Sequence, residues 1–243
     1  MKRWRIVLII ILAVCCLVNS LIYLYGQGIV HINYPSTKKY PIRGVDVSNH
    51  QGKIDWEKLV SQNVSFAFIK ATEGSTFVDP YFSENWKNAK KNNIRIGAYH
   101  FFSFDSTGEK QAESFCRNVT KVDNMLPPVV DVEYYGQYKK VEDIDIPKAK
   151  KELQILLNKL EEQYDMKPII YCGFLYESIV KDDFEDYDLW YGLVFNPLFD
   201  KDKSVFWQYS QNHILQGYSG NEKLIDMNIF MGSKEEFEVY PEK

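Results

Sequence analysis

The 243-residue sequence has only four cysteines, and its four histidines are scattered, so no Cys/His spacing resembles a metal site. Cys15 and Cys16 fall within an apolar run, which leaves Cys116 and Cys172 for the rest of the chain. Two cysteines do not make a disulfide framework in a large domain, so we expect two buried free thiols. We expect neither a metal ion nor a cofactor.

The sequence also has no surplus of positive charge, since 29 Lys and Arg residues oppose 33 Asp and Glu residues. Without a basic stripe it has no feature of a nucleic-acid-binding protein. Its length favours one domain of about 200 residues after the N-terminus, and we expect a monomer. Aromatic residues are abundant, with 17 Tyr, 15 Phe and 5 Trp, which is compatible with a large core and with a groove that stacks on sugar rings.

The one long hydrophobic run lies at the N-terminus, from Ile6 to Tyr25, directly after three basic residues. About 20 apolar residues cross a bilayer as one helix, and the basic flank predicts a cytoplasmic N-terminus with the remainder outside. The alternative is a signal peptide, with Val18-Asn19-Ser20 as a poor cleavage site, followed by secretion. We therefore predict a single-pass membrane anchor over residues 1–26, a spacer over residues 27–41 and one domain over residues 42–243.

From residue 42 onward, strand-like and helix-like stretches alternate. Helical patterns separate the first five strands, whereas loops connect the last three. Such an order predicts a parallel sheet buried on both faces, closed as an α/β barrel whose function lies at the carboxyl ends of its strands. The predicted strands are residues 44–48, 66–72, 95–103, 128–134, 167–173, 188–193, 205–210 and 224–230, and the predicted helices are residues 55–62, 80–93, 106–122 and 146–164.

Two acids occupy alternate positions of the apolar stretch LPPVVDVEYYG. Asp131 and Glu133 therefore project from the same face of a strand, where a loop begins. Asp46 and Asp226 also lie inside strand candidates. Clustered carboxylates raise one another's pKa, which keeps one acid protonated to donate a proton. Such a donor with no metal motif suggests glycoside hydrolysis; the alternative is that each acid caps a loop or binds backbone amides.

Further polar and aromatic residues fall in the later half of the predicted strands, where they would converge on the barrel mouth. The aromatic residues among them have an alternative role, which is to pack the barrel mouth. Glu73 has the alternative role of capping the turn at Gly74. The candidate substrate-binding residues are Glu73, Tyr99, Tyr171, Trp190, Trp207 and Gln208.

Seven motifs follow one another along the chain: GVDVSNHQGKIDW, FAFIKATEG, VDPYFSENWKNAK, IGAYHFF, PPVVDVE, PIIYCG and LIDMNIF. In this order and spacing they resemble the glycoside hydrolase family 25 lysozymes, the Chalaropsis-type N-acetylmuramidases. The resemblance runs from about Ile42 to Phe230 and implies a (β/α)5(β)3 barrel that cleaves peptidoglycan. It also implies that Glu133 is the general acid, that Asp131 orients the substrate N-acetyl group, and that Asp46 and Asp226 hold the substrate and tune Glu133.

The resemblance further implies net retention, with the substrate's own acetamido oxygen as nucleophile. A carboxylate of the protein is the alternative nucleophile, and a chitin-like N-acetylated glycan is the alternative substrate. A barrel that binds glycan strands without cutting them is the alternative function. The sixth strand region, LWYGLVFNP, departs from the family pattern.

Overall fold

The computed structural model describes residues 2–192, 194 and 204–241. Its first element is helix α1, Lys2–Gly26, in which the segment Arg3–Gly26 is long and apolar enough to cross a membrane. None of the apolar window of this helix is buried against the rest of the chain. The helix therefore leaves the domain without packing along it.

Eight strands form a closed barrel, as predicted. They are β1 Arg43–Val47, β2 Phe66–Glu73, β4 Arg95–Phe101, β5 Val129–Val132, β6 Ile169–Cys172, β7 Leu189–Tyr191, β8 Ser204–His213 and β9 Ile225–Phe230. From β1 to β8, neighbouring barrel strands pair in parallel. A short strand, β3, Phe77–Val78, forms a hairpin on β2 and was not predicted.

The last strand departs from the all-parallel expectation, because β9 is antiparallel to both β8 and β1. In the described residues no helix connects β8 to β9, and a parallel neighbour needs a long crossover that the short loop after His213 does not provide. The chain therefore turns back directly and closes the ring in the opposite direction.

Helices cover the outside of the first part of the barrel. They are α2 Trp56–Val60, α3 Phe82–Lys91, α4 Gly108–Asn118 and α5 Ile146–Tyr164, and α6 Lys234–Val239 follows the last strand. Helix α5 has the predicted bounds because Asp145 caps its first turn, Pro147 occupies a permitted early position, and Asp165 adopts a left-handed conformation at its end. A π-helical turn, Tyr176–Val180, follows β6.

Two apolar layers separate the inside of the barrel from its outside. Phe66, Phe68, Phe206 and Phe230 fill the interior, and Phe237 of α6 packs on them from the amino ends of the strands. The outer layer packs strand residues of the opposite parity against the helices.

Both domain cysteines are free thiols, as expected, although Cys116 is half-buried rather than buried. The predicted sixth strand ends at Leu193, which lies outside the described residues, as does the whole FNP part of LWYGLVFNP.

Candidate active site

A cavity of about 460 Å³ opens at the carboxyl ends of the barrel strands. All four predicted acids line it, together with four of the six predicted binding residues. The lining includes Asp46, Asp131, Glu133, Asp226, Tyr99, Tyr171, Trp190 and Gln208, and also Ser48, Gln51, Lys70, Phe101, Gln211 and Glu222.

Asp131 and Glu133 lie on the same side of the chain at the end of β5. Asp131 pairs with Tyr171 of β6 and is buried, whereas Glu133 lies one residue beyond the strand and is partly exposed. One carboxylate oxygen of Asp131 is buried and meets no hydrogen-bond donor among the described residues. Because an unpaired buried oxygen is costly, it is a candidate acceptor for a substrate N–H or O–H group.

Asp46 and Asp226 face each other across the β1–β9 pairing, and a hydrogen bond joins their carboxyl groups. Asp46 Oδ2 accepts hydrogen bonds from Asn228 Nδ2 at 2.7 Å and from Gln208 Nε2 at 3.0 Å. Burial raises the pKa of both acids, and the Asp46 charge raises the pKa of Asp226 further. The pair therefore holds a proton on Asp226, which donates to Asp46.

A hydrogen-bond network ties this pair to the aromatic wall of the cavity. The Tyr171 hydroxyl donates to Gln208 Oε1 at 3.0 Å, and Trp190 Nε1 donates to Asn228 Oδ1 at 2.8 Å. Trp190 also stacks on Phe68 with ring centroids 4.5 Å apart. The rings of Tyr171 and Trp190 are thereby fixed before any ligand binds.

Lys70 contributes the cation of the cavity. Its Nζ lies 2.7 Å from Glu73 Oε2 and 4.9 Å from the centroid of the Phe101 ring. Its charge lowers the pKa of Asp131 and of Glu133, against the larger effect of burial. Lys70 is thus the ion-pair partner of Glu73.

The electrostatics of the cavity single out Glu133. Burial and the negative charge of Asp46 raise its pKa from 4.5 to about 7, while Tyr171 and Lys70 act in the opposite direction. Burial and the neighbouring Glu133 raise the pKa of Asp131 well above its ordinary value. A carboxyl group with a pKa near neutrality is suited to donate a proton and to take one back.

Two predicted binding residues do not line the cavity. Trp207 follows Phe206 in β8, so it faces the opposite side of the strand and packs on the outer apolar layer. Glu73 lies in a smaller adjacent cavity beside Gly74 and Ser75, and reaches the main cavity only through its ion pair with Lys70.

Asn228 was missed by sequence reasoning. It is fully buried and joins Asp46 to Trp190. The signal was present, since Asn228 follows Asp226 by two positions in LIDMNIF and must share its face. His100, which was not a candidate, is a buried core histidine that contacts Thr72 at 2.7 Å and Gln111 at 3.0 Å.

These features define a class of protein. A carboxyl group with a pKa near 7 lies beside a second carboxyl group, in an aromatic cavity at the carboxyl ends of an α/β barrel. This is the arrangement of a glycoside hydrolase.

Comparison with known proteins identifies the family. Residues 45–218 match the family described as glycosyl hydrolases family 25. The protein YegX of Escherichia coli O157:H7 is 33% identical over 234 residues, which are 92% of this chain and 82% of YegX.

Solved structures agree with this match. A family 25 glycosyl hydrolase from Bacillus anthracis has a TM-score of 0.79 and 48% identity, and the match covers 87% of this chain and 98% of that one. The bacterial lysozyme from Streptomyces coelicolor has a TM-score of 0.71 and 28% identity, over 82% of this chain and 95% of the lysozyme. The chain belongs to glycosyl hydrolase family 25 and is a glycoside hydrolase of the lysozyme type.

Proposed function

We propose that the domain cleaves the β-1,4 bond between N-acetylmuramic acid and N-acetylglucosamine in peptidoglycan. The observation that carries this proposal is the pairing of Glu133, whose pKa is raised to about 7, with Asp131, whose buried carboxylate oxygen has no donor among the described residues. Such a pair serves an N-acetylated sugar, because one group donates a proton while the other accepts the acetamido N–H.

In the first step, the acetamido oxygen of the substrate attacks the anomeric carbon while the glycosidic bond breaks. Glu133 gives its proton to the departing glycosidic oxygen. Asp131 accepts a hydrogen bond from the acetamido N–H, which favours its ionised form and leaves the proton of the two acids on Glu133. The product is a cyclic oxazolinium ion with no bond to the enzyme.

In the second step, a water molecule attacks the anomeric carbon and reopens the ring. Glu133, now a carboxylate, takes the proton of this water and returns to its starting state. The two displacements give net retention of configuration. Asp46 and Asp226 hold the substrate and maintain the negative field that raises the pKa of Glu133.

The decisive assay identifies the reducing ends that the protein forms from purified peptidoglycan. We expect new N-acetylmuramic acid ends, loss of activity in Glu133→Gln, and full activity in Glu162→Gln, a matched change of an exposed glutamate on α5. Products ending in N-acetylglucosamine would contradict the assigned bond. Binding without cleavage would favour the glycan-binding barrel, and cleavage of chitin oligosaccharides alone would favour a chitin-like substrate.

We further propose that α1 is an uncleaved anchor, which places the barrel outside the cytoplasmic membrane. Its length and apolar composition support this, as do the basic residues at its start. Intact mass of the mature protein and carbonate extraction of membranes test the assignment. A mature chain that begins after residue 20 and appears in the medium would favour secretion instead.

A further inference from the structure

The spacer is attached to the barrel through its backbone. The side chain of Asn212, near the end of β8, donates to the carbonyl oxygens of Tyr25 at 2.8 Å and of Val30 at 2.9 Å. Asn33 of the spacer donates in return to the carbonyl oxygen of Tyr209 at 2.9 Å. These bonds join the end of α1 and the spacer to a single strand.

Two histidines complete this junction. The rings of His31 and His213 stack with centroids 3.8 Å apart and planes inclined by 10°, and His31 Nδ1 lies 3.0 Å from Asn212 Oδ1. Gly28 approaches the Asn212 carbonyl so closely that a Cβ at this position would lie 2.7 Å from its oxygen. These contacts hold the spacer in one position relative to the end of β8, whereas a free linker would take many positions.

The junction lies at the cavity end of the barrel. Strand β8 is parallel to β7, so its carboxyl end points the same way as the end of β5 that carries Asp131. Asn212 lies four residues beyond Gln208, which lines the cavity, and a strand advances about 3.3 Å per residue. The end of α1 is therefore fixed on the side of the catalytic mouth.

The length of α1 sets the height of the barrel above the membrane. Its 25 residues span roughly 37 Å at 1.5 Å per residue, somewhat more than the bilayer core of about 30 Å. Tyr25 would then lie at the outer interface while its carbonyl binds Asn212. A free, extended spacer of about 15 residues could instead carry the mouth on the order of 50 Å away.

Exposed apolar side chains surround this junction. Ile29, Ile32 and Tyr34 of the spacer and Ile214 after β8 are all exposed. Phe174, in the loop after β6, is 74% exposed at the same end of the barrel. At the opposite end of the described barrel, Val239 alone is an exposed large hydrophobic residue. A one-sided apolar rim next to a membrane helix fits a lipid interface.

We propose that the spacer and the end of β8 hold the catalytic mouth against the outer surface of the membrane, so that the enzyme acts on glycan strands lying at that surface. This inference rests on the proposed function and on retention of α1. The partner of the apolar rim is the lipid bilayer. The consequence is a substrate preference set by position rather than by sugar chemistry.

The first test measures the position of the rim in the full chain, reconstituted in phosphatidylglycerol/phosphatidylcholine nanodiscs. Nitroxide labels are placed at Ile214→Cys or Phe174→Cys in a background without the native cysteines, with Val239→Cys as the matched control at the opposite end. We expect collisions with oxygen to exceed those with a water-soluble nickel chelate at the two rim positions only. Equal accessibility at all three positions would overturn the proposal.

The second test compares membrane-bound with free substrate, using full-length protein in proteoliposomes. The substrates are lipid-linked glycan strands in the same vesicles and soluble strands of equal length. We expect Asn33→Ala/Asn212→Ala to lower the ratio of the two rates by about threefold or more, because a free linker dilutes the site near the surface. Asn158→Ala, on the exposed face of α5, should leave the ratio unchanged.

The two hypotheses fail differently. If neither substrate is cleaved by the wild type, the proposed function is wrong. If both are cleaved and the double variant keeps the wild-type ratio, the function stands and the surface-held mouth is wrong.

Discussion

Replacing both Asp46 and Asp226 by asparagine should lower the pKa of Glu133, whereas Asp226→Asn alone should leave it almost unchanged. The two aspartates hold a proton between them and so carry a single negative charge. In Asp226→Asn, the amide replaces the carboxyl group as donor to Asp46, which keeps that charge. Only the double variant removes it.

The structure bounds the size of the effect. The pKa of Glu133 rises from 4.5 to about 7, with burial as the first cause and the Asp46 charge as the second. Removing the second cause should lower this pKa by about one unit, which corresponds to a tenfold change in proton concentration. The double variant should thus lose the protonated general acid at a lower pH than the wild type.

The assay is the pH dependence of kcat/KM on soluble glycan strands, which reports the ionisation of the free enzyme. Wild-type activity should fall as the pH rises through about 7, where Glu133 loses its proton. Asp182→Asn, which removes an exposed carboxylate outside the cavity, should not change the pH at which the activity falls. If the pH at which kcat/KM falls shifts as far in Asp226→Asn as in the double variant, the shared proton is refuted. If this pH is unchanged in both variants, the role of the Asp46 charge is refuted.

Three further predictions concern stability and the cavity walls. Glu133→Gln should raise the free energy of unfolding of the barrel by up to about 3 kcal/mol at pH 8 and hardly at pH 4. The reason is that a carboxyl group whose pKa is raised from 4.5 to about 7 on folding makes the folded state less stable as the pH rises through this range. Equal effects in urea unfolding at both pH values would contradict this. Gly192→Ala should lower kcat/KM by roughly ten- to a hundredfold, since the new Cβ would lie 2.3 Å from the Tyr171 hydroxyl oxygen and must displace it; unchanged kinetics would show that the ring adapts. Trp190→Phe should impair catalysis through the lost bond to Asn228, whereas Trp207→Phe should change only thermal stability; impaired kinetics in the second variant would place Trp207 in the substrate groove after all.

The catalytic cavity concentrates groups that do not favour folding. Asp131 has a buried oxygen without a donor among the described residues, and four further carboxyl groups line the same cavity of about 460 Å³. Phe66, Phe68 and Phe206 pack directly beneath them and offset this cost by apolar burial. The predicted stabilisation by Glu133→Gln follows from the same balance, since functional sites trade stability for chemistry.

Local periodicity in the sequence was sufficient for the order of the barrel strands, although not for β3 or for the direction of β9. The strand stretches and the amphipathic helices differ in period, so their order and approximate bounds were predictable, as α5 shows. Alternation by two also placed Asp131 and Glu133 on one face without knowledge of the fold. These features depend on neighbouring residues alone, and the sequence contains them directly.

Only the tertiary structure decided which side chains from distant segments lie together and which of them point into the cavity. The β1–β9 pairing brings together Asp46 and Asp226, which are far apart in the chain, and the register of β8 turns Gln208 inward and Trp207 outward. The spacer has no period of its own, and its geometry comes from the bonds of Asn212. Register and docking depend on contacts between distant segments, and no local pattern encodes them.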